Sequence, residues 1–405
     1  MTENGDGAKR RGLSPVVRAL GIVSLLADVS SEMVYPLNPM FLTRVLGAPA
    51  WALGLIEGVA ESTASLLKLY SGWLSDKIGA RKPFVVAGYG LGALGKPMIA
   101  LAGSWGHVLA ARFVDRLGKG LRTAPRDALI TENCDADRRG RAFGFHRSMD
   151  TIGAVGGPLL GYLLLSRFLH GTDAQNWRSL YWVAFVPGLL GVLVLAVMVK
   201  EKRTPADLVR KALPTLSGLS PAYKRYLLIC ALFGLGNSSD AFLILRAQND
   251  MGVRPEQVFL LYALFNVVEA ALGYPVGRLS DRVGRKPLIA LGWLVFAAVY
   301  LGFALLHGMA AVCLLFVLYG FYYTLTQGVQ RAMAADLAHA DRRATEIGAF
   351  HMVVGLAALP ASIGAGFLYE LHRWAPFAVG ACTAVVAAGL MLAVRLDKPE
   401  SAPVS

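Results

Sequence analysis

Seven carboxylates occupy stretches of sequence that are otherwise almost wholly apolar: Asp28 and Glu32 one helical turn apart, Glu57 and Glu61 likewise, and Asp150, Asp240 and Glu269 singly. A carboxyl group taken out of water favours its neutral form, which raises its pKa toward the range where it can bind and release a proton in every cycle. A nearby arginine works the other way. Such cations are present. Arg112, Arg116, Lys119, Arg122 and Arg126 are three or four residues apart, so they form one stripe down one face of a helix. Arg246 and Arg331 add to them. Groups of this kind can bind protons and charged solutes. His146, Ser148 and Asp150 hint at a hydrolase triad, but no Gly-x-Ser-x-Gly elbow accompanies them and Ser148 projects from a different helix face. The four cysteines, Cys134, Cys230, Cys313 and Cys382, have no paired spacing and predict neither a disulfide framework nor a metal site. No cofactor is expected.

Each of these residues also has a purely structural reading. Asp150 pairs naturally with Arg147, and Glu57 fits a solvated place near the headgroups. The basic stripe could serve to pin helices together. His351 reads as a packed interface histidine, and Tyr319, Phe321, Tyr322 and Tyr323 as either packing or the lining of a pocket for flat compounds. Glu32 and Asp240 resist this reading best. Each follows a Ser-Ser pair, and neither has a basic neighbour one turn away on its own helix, although gating stays open as a role for both.

The elements that must position these groups are membrane helices. Of 405 residues 55% are hydrophobic and only 17% are charged, and the mean hydropathy is +0.50. Apolar runs such as Trp182–Val199, Leu288–Leu306 and Ala375–Val394 reach the roughly 18 residues that suggest a span. The polar, basic head MTENGDGAKRRG has no cleavage site after it, which predicts no cleavable signal peptide. The net charge of +13 admits nucleic-acid binding in principle. Yet roughly two dozen Lys and Arg fall on alternate connections and tails, against about five on the others. That asymmetry explains the charge without nucleic acid. It places both termini in the cytoplasm of a bacterial inner-membrane type of protein, with the lipid bilayer and a small-molecule substrate as partners and a monomer as the expected state.

Turn signals divide the chain into about twelve predicted helices: 16–46, 51–75, 83–103, 106–130, 141–167 and 178–199, then 221–249, 255–278, 287–306, 309–336, 344–371 and 374–395. The expected domains are a tail (1–15), a six-helix bundle (16–199), a charged cytoplasmic linker (200–220), a second six-helix bundle (221–396) and a tail (397–405). The second half repeats the first. GWLSDKIGARKP (Gly72–Pro83) returns as GRLSDRVGRKP (Gly277–Pro287), DRRGRAFGFH (Asp137–His146) as DRRATEIGAFH (Asp341–His351), and Ser30-Ser31-Glu32 as Ser238-Ser239-Asp240. The offset is about 205 residues each time.

The Gly-x-Leu-Ser-Asp-[Lys/Arg]-x-Gly-(x)-Arg-Lys turns resemble the loop signature of the major facilitator superfamily, here carried by Gly72, Asp76 and Arg81 and again by Gly277, Asp281 and Arg285. The second copy fits fully; the first has Ala80 inserted before Arg81. Gly153, Gly157, Pro158 and Gly161 in the fifth predicted helix are similar to the glycine–proline motif of that superfamily's drug–proton antiporters, and decay to Gly355 and Pro360 in the second half. The fourth predicted helix departs from the antiporter pattern, with Asp115 and Arg116 where Gln and Gly are usual. The resemblance implies an all-α membrane protein of twelve transmembrane helices in two pseudo-symmetric six-helix bundles.

The leading expectation is therefore a secondary transporter working by alternating access, a proton-coupled antiporter that exports a small organic compound with the proton gradient as energy source. Its cavity residues are expected to be Asp28, Glu32, Glu61, Arg112, Arg116, Asp240, Arg246, Glu269 and Arg331, with the two loop motifs as gates. The alternative is uptake or exchange of an organic anion at the basic stripe. A polytopic membrane enzyme ranks below both, since no nucleophile motif or metal-ligand cluster is present.

Overall fold

Each half opens the same way. Ser14 Oγ accepts from the Val17 N–H at 3.2 Å, Ser220 Oγ accepts from the Tyr223 N–H at 3.1 Å, and a proline, Pro15 or Pro221, takes the first helical position. The structure, a computed structural model, describes residues 13–135, 138–169, 173–201, 218–339 and 343–396. Both expected tails, apart from the stretch nearest the helices, and most of the expected linker lie outside the described residues.

Twelve helical spans follow among the described residues. The first half holds α1 (Pro15–Glu32, continued by short turns from Tyr35 to Val45), α2 (Ala50–Ile78), α3 (Lys82–Ala100), α4 (Trp105–Glu132), α5 (Arg139–Arg167) and α6 (Asp173–Met198). The second holds α7 (Pro221–Asp250, interrupted between Gly236 and Ala241), α8 (Pro255–Val283), α9 (Arg285–Leu305), α10 (Met309–Leu337), α11 (Arg343–Leu371) and α12 (Ala375–Ala393). From α5 onward every span is long and apolar enough to cross a membrane; α1 to α4 are less apolar and carry most of the internal charge.

Some boundaries differ from the sequence expectation for identifiable reasons. Helices α2 and α8 run on to Ile78 and Val283, because what ends them is a glycine at positive φ, Gly79 at 69° and Gly284 at 94°. Helix α6 starts at Asp173 instead of 178; an acid in the first turn complements the helix dipole, so DAQN joins the helix although it is polar.

Within the first bundle α3 packs on α4 and α6, α2 on α4, and α1 on α5 and α6; within the second, α9 packs on α10 and α12, α8 on α10, and α7 on α11 and α12. The bundles meet along α2 with α11 and α5 with α8. The motif turns, the start of α1 and the ends of α6 and α12 share one end of the molecule, called here the terminus end. The opposite, far end is shut. A Cβ on Gly54 would stand 2.0 Å from the Ser362 carbonyl oxygen, and one on Gly366 2.5 Å from the Trp51 Cα, so the α2 and α11 backbones touch. Trp51 stacks on Phe367 with ring centroids 6.1 Å apart, and Gln248 reaches Met40 across the same end.

At the terminus end the two motif turns do matching work. Arg81 pairs with Asp76 at 2.6 Å and with Glu132 at the end of α4 at 2.7 Å; Arg285 pairs with Asp336 at the end of α10 at 2.9 Å. Lys82 Nζ donates to the Ala196 carbonyl of α6 at 2.8 Å, and Lys286 Nζ donates to Val394 after α12 at 2.6 Å. In each bundle the third helix is thereby tied to the last. The Glu201 carboxylate adds a cap on α3, accepting from the Arg81 and Lys82 N–H groups. Asp281 is exposed and makes no ion pair among the described residues.

Candidate substrate and proton site

The two Ser-Ser-acid triplets sit where their helices break. α1 loses its regular ladder after Glu32, and α7 is interrupted between Gly236 and Ala241. In each triplet the first serine ties the break to a neighbouring helix. Ser30 Oγ donates to the Ala184 carbonyl of α6 at 2.6 Å, and Ser238 Oγ lies 3.2 Å from the Tyr300 hydroxyl of α9. Breaking a helix at membrane depth leaves polar backbone to satisfy and is tolerated where it lines a cavity.

The helix-five glycines explain how Asp28 and Glu32 are placed. A Cβ on Gly153 would meet the Asp28 Cβ at 2.7 Å, one on Gly157 the Glu32 Cβ at 2.9 Å, and one on Gly161 the Met33 carbonyl at 2.7 Å. Pro158 is buried beside them. The motif is thus a groove in α5 that takes the α1 backbone at the two acids. Gly355, its counterpart in the second half, packs instead on Ser65 of the other bundle.

A cavity of about 80 Å³ opens among α1, α3, α4 and α6 of the first bundle. Asp28 and Glu32 line it together with Arg112, Asp115, Arg116 and Lys119. Among the described residues neither acid makes an ion pair within 4.0 Å. The basic stripe divides in two. Its far-end part is paired: Arg112, 6% exposed, donates through one nitrogen to both Glu57 oxygens at 2.8 Å. Asp115 accepts from Lys96 at 3.1 Å and lies 3.7 Å from Arg116. Of the rest, Arg126 bonds to Asp127 at 2.8 Å, Arg122 lies over the Tyr89 ring at 4.0 Å, and Lys119 is exposed with no ion pair among the described residues. Glu61 is exposed beside Arg116, Lys119 and Lys68 without closing on any of them.

In the second bundle, Asp240 is held by tyrosines. Its Oδ1 accepts from the Tyr319 hydroxyl at 3.0 Å and the Tyr323 hydroxyl at 3.4 Å. Phe265 packs on both rings, with centroids 5.5 and 5.0 Å away, and Tyr262 and Tyr35 extend the cluster to α1. Tyr322 faces inward on α10, but Phe321 is 41% exposed on the other face, so only part of the expected aromatic cluster surrounds the site.

Four sequence readings are corrected here. Glu57 is not solvated: it is 7% exposed and is the partner of Arg112. Asp150 pairs with His146 at 3.4 Å, while Arg147 crosses to Glu269 of the second bundle at 3.0 Å. Residues four apart share a helix face, which favours His146 over Arg147 for Asp150. Glu269 is accordingly an inter-bundle contact. Arg246 is buried away from the cavity, bonded to Asp250 at 2.8 Å and to the Phe303 carbonyl at 3.0 Å. Arg331 is exposed on α10, near Lys68 and His351. Lys96 was missed. Its signal was a lone lysine in the apolar run of α3, for which the structure supplies Asp115 and the Gly92 carbonyl.

Comparison with known proteins settles the family. The profile of the Major Facilitator Superfamily matches residues 20–246 and 226–405. The chain belongs to this superfamily. An MFS-type transporter of Methanocaldococcus jannaschii is 37% identical over 94% of this chain and 95% of its own length. Multidrug resistance protein MdtH of Escherichia coli is 24% identical over 87% and 86%. The crystal structure of a bacterial homolog of the human lysosomal transporter Spinster, inward-facing and occupied, covers 94% of this chain and 96% of its own with a TM-score of 0.73 at 16% identity, a likeness of fold. This chain is a multi-pass membrane transporter built of two six-helix bundles.

Proposed function

We propose that this transporter is a proton-coupled antiporter that exports a small organic compound, with Glu32 and Asp240 as the groups that exchange proton for substrate. One observation carries the reading: the two acids stand at the helix breaks of opposite bundles, and neither is neutralised by an ion pair among the described residues. A carboxylate without a cation partner can trade its charge compensation between a proton and a solute, whereas one locked like Glu57 cannot. Asp28, one turn from Glu32 and lining the same cavity, is the auxiliary proton site. The terminus end faces the cytoplasm in this reading, in keeping with its basic turns. The likeness to MdtH supports export.

The test is proton flux in liposomes holding the purified protein, read when candidate substrates are added across an imposed pH gradient. Glu32→Gln should abolish substrate-evoked flux, and Asp28→Asn should be milder. Undiminished flux in a Glu32→Gln, Asp240→Asn double variant removes both as proton carriers and turns attention to Glu61.

A further inference from the structure

The His146–Asp150 pair of α5 lies on the same seam as the proposed proton sites. Ala142 and Phe145 of α5 share a core with Val17 and Leu20 of α1, so both helices start at the terminus end and run side by side. Their contacts fix the register. A Cβ on Gly21 would meet Phe145 and Met149, one on Gly153 would meet Asp28, and one on Gly157 would meet Glu32. Asp150 therefore stands level with the stretch of α1 between Gly21 and Asp28, about 4.5 Å of rise from Gly153. His146 is one turn, about 6 Å, nearer the terminus end. In that order Glu32, Asp28, Asp150 and His146 form a ladder of titratable groups, each about one helical turn from the next.

The atoms left over set this pair apart. His146 Nδ1 lies 3.4 Å from Asp150 Oδ2, close enough for a proton to pass between them. The outer atoms, His146 Nε2 and Asp150 Oδ1, are buried and bond to no group among the described residues. The histidine is only 4% exposed. Glu57, by contrast, uses both its oxygens on Arg112. Leaving buried polar atoms without partners costs stability, so a pair that merely joined turns of a helix gains nothing by it. A relay needs just such free positions, one to take a proton and one to hand it on.

The charges around the ladder leave it usable. Asp150 is faced by Asp28 and Ser24 from α1 and by Arg126 from α4, and Arg126 is bonded to Asp127 at 2.8 Å. Asp28 is faced by Lys119 and Arg122, and Glu32 by Lys119, Arg116 and Asp240. From α8, Glu269 reaches α5 at Arg147. Helix α6 has no charged residue between Arg178 and Lys200. Neither Asp150 nor His146 lines the cavity at Asp28 and Glu32. That cavity is walled by Lys96, Arg112, Arg116, Lys119 and Arg122 against three acids, Asp28, Glu32 and Asp115, an excess of cations that opposes entry of a hydronium ion.

We propose that Asp150 and His146 are a proton relay, through which protons reach and leave Asp28 and Glu32 along the α1–α5 seam while the cavity is left to substrate. On the way out, Asp28 becomes a carboxylate and Asp150 takes the proton at Oδ1. A turn of the carboxyl group brings it to Nδ1 of the ring, which carries its own proton on Nε2. The imidazolium so formed gives the Nε2 proton to water, and uptake runs the same steps in reverse. This rests on the proposed role of Glu32 and Asp28 and adds the path that serves them.

The test needs no transported compound. The full chain in nanodiscs is given a light-released caged proton, and time-resolved infrared follows the carboxylic-acid C=O stretch. His146→Gln and Asp150→Asn should each slow the rise of this band roughly ten-fold or more. Its final amplitude in an equilibrium pH titration should stay at the parent value in His146→Gln. His146→Gly should be equally slow and recover in proportion to added imidazole, a response that a structural role does not give. Asp150→Asn should not recover. Ser148→Ala, exposed on another face of α5, should keep the parent rate. Parental rates in both His146→Gln and Asp150→Asn overturn the relay, and so does a slow His146→Gly that imidazole leaves slow. The Asp28→Asn, Glu32→Gln double variant separates the two readings. If it loses none of the band, the proposed proton sites fail; if it loses part of the band while the relay variants keep the parent rate, the relay alone fails.

Discussion

Gly157 of α5 lies directly on Glu32 of α1: a Cβ at this glycine would come within 2.9 Å of the Glu32 Cβ and of the Met33 nitrogen. The position of a proposed proton carrier is therefore set by what a neighbouring helix lacks. Gly157→Ala must push α1 aside, an overpacking that costs about 1–3 kcal/mol. Thermal unfolding should show that loss, and substrate-evoked proton flux should fall further than stability does. Gly156→Ala, one residue along, meets nothing within 4 Å and should match the parent in both measurements.

The buried Arg112–Glu57 pair should behave as a unit. Removing one member strands a charge at a site about 6–7% exposed, at a cost of about 3–5 kcal/mol. Replacing both, as Arg112→Gln with Glu57→Gln, should be milder than either single change. A double-mutant cycle by thermal unfolding reads this, and additive losses would mean the two do not interact.

Asp76 should matter for turnover and little for stability. Its contact with Arg81 is partly exposed, and such pairs contribute about 0–1 kcal/mol. Asp76→Asn is expected to slow transport in liposomes severalfold while equilibrium substrate binding and unfolding temperature stay near the parent values. A variant with parental turnover would take the loop out of the mechanism.

The far-end closure rests on Gly54. With a Cβ site 2.0 Å from a carbonyl oxygen, Gly54→Val cannot form the seam between α2 and α11. Ser62, 6% exposed, reports on it. In a background without the four native cysteines, Ser62→Cys should resist a membrane-impermeant maleimide and become reactive once Gly54→Val is added. Equal labelling in the two backgrounds would contradict the seam.

Much of this architecture was legible because it repeats. The Ser-Ser-acid triplets marked matching positions in the two halves, although the helices 16–46 and 221–249 were expected to run unbroken through them, and the loop motifs located matching turns, a local constraint on backbone. What the sequence did not reveal was pairing between helices. Glu57 looked solvated because nothing local names Arg112 as its partner; that choice depends on how α2 and α4 face each other, and Gly120, packed on Leu67, fixes it. Arg246 was different. Asp250 stands four residues on, and that local signal could have marked it as a structural pair from the start.

The seam between α2 and α11 is made of backbone against backbone, with Ser62 donating to the Gly355 carbonyl and, at its rim, the Trp51 N–H reaching Glu370. Among the described residues no ion pair joins the two helices. Dispersion and close packing do not respond to dissolved salt, whereas the exposed Arg147–Glu269 pair between α5 and α8 does. The two inter-bundle contacts thus answer to different conditions. Raising ionic strength loosens one and leaves the other shut, so salt concentration should tilt the balance between the two inter-bundle contacts.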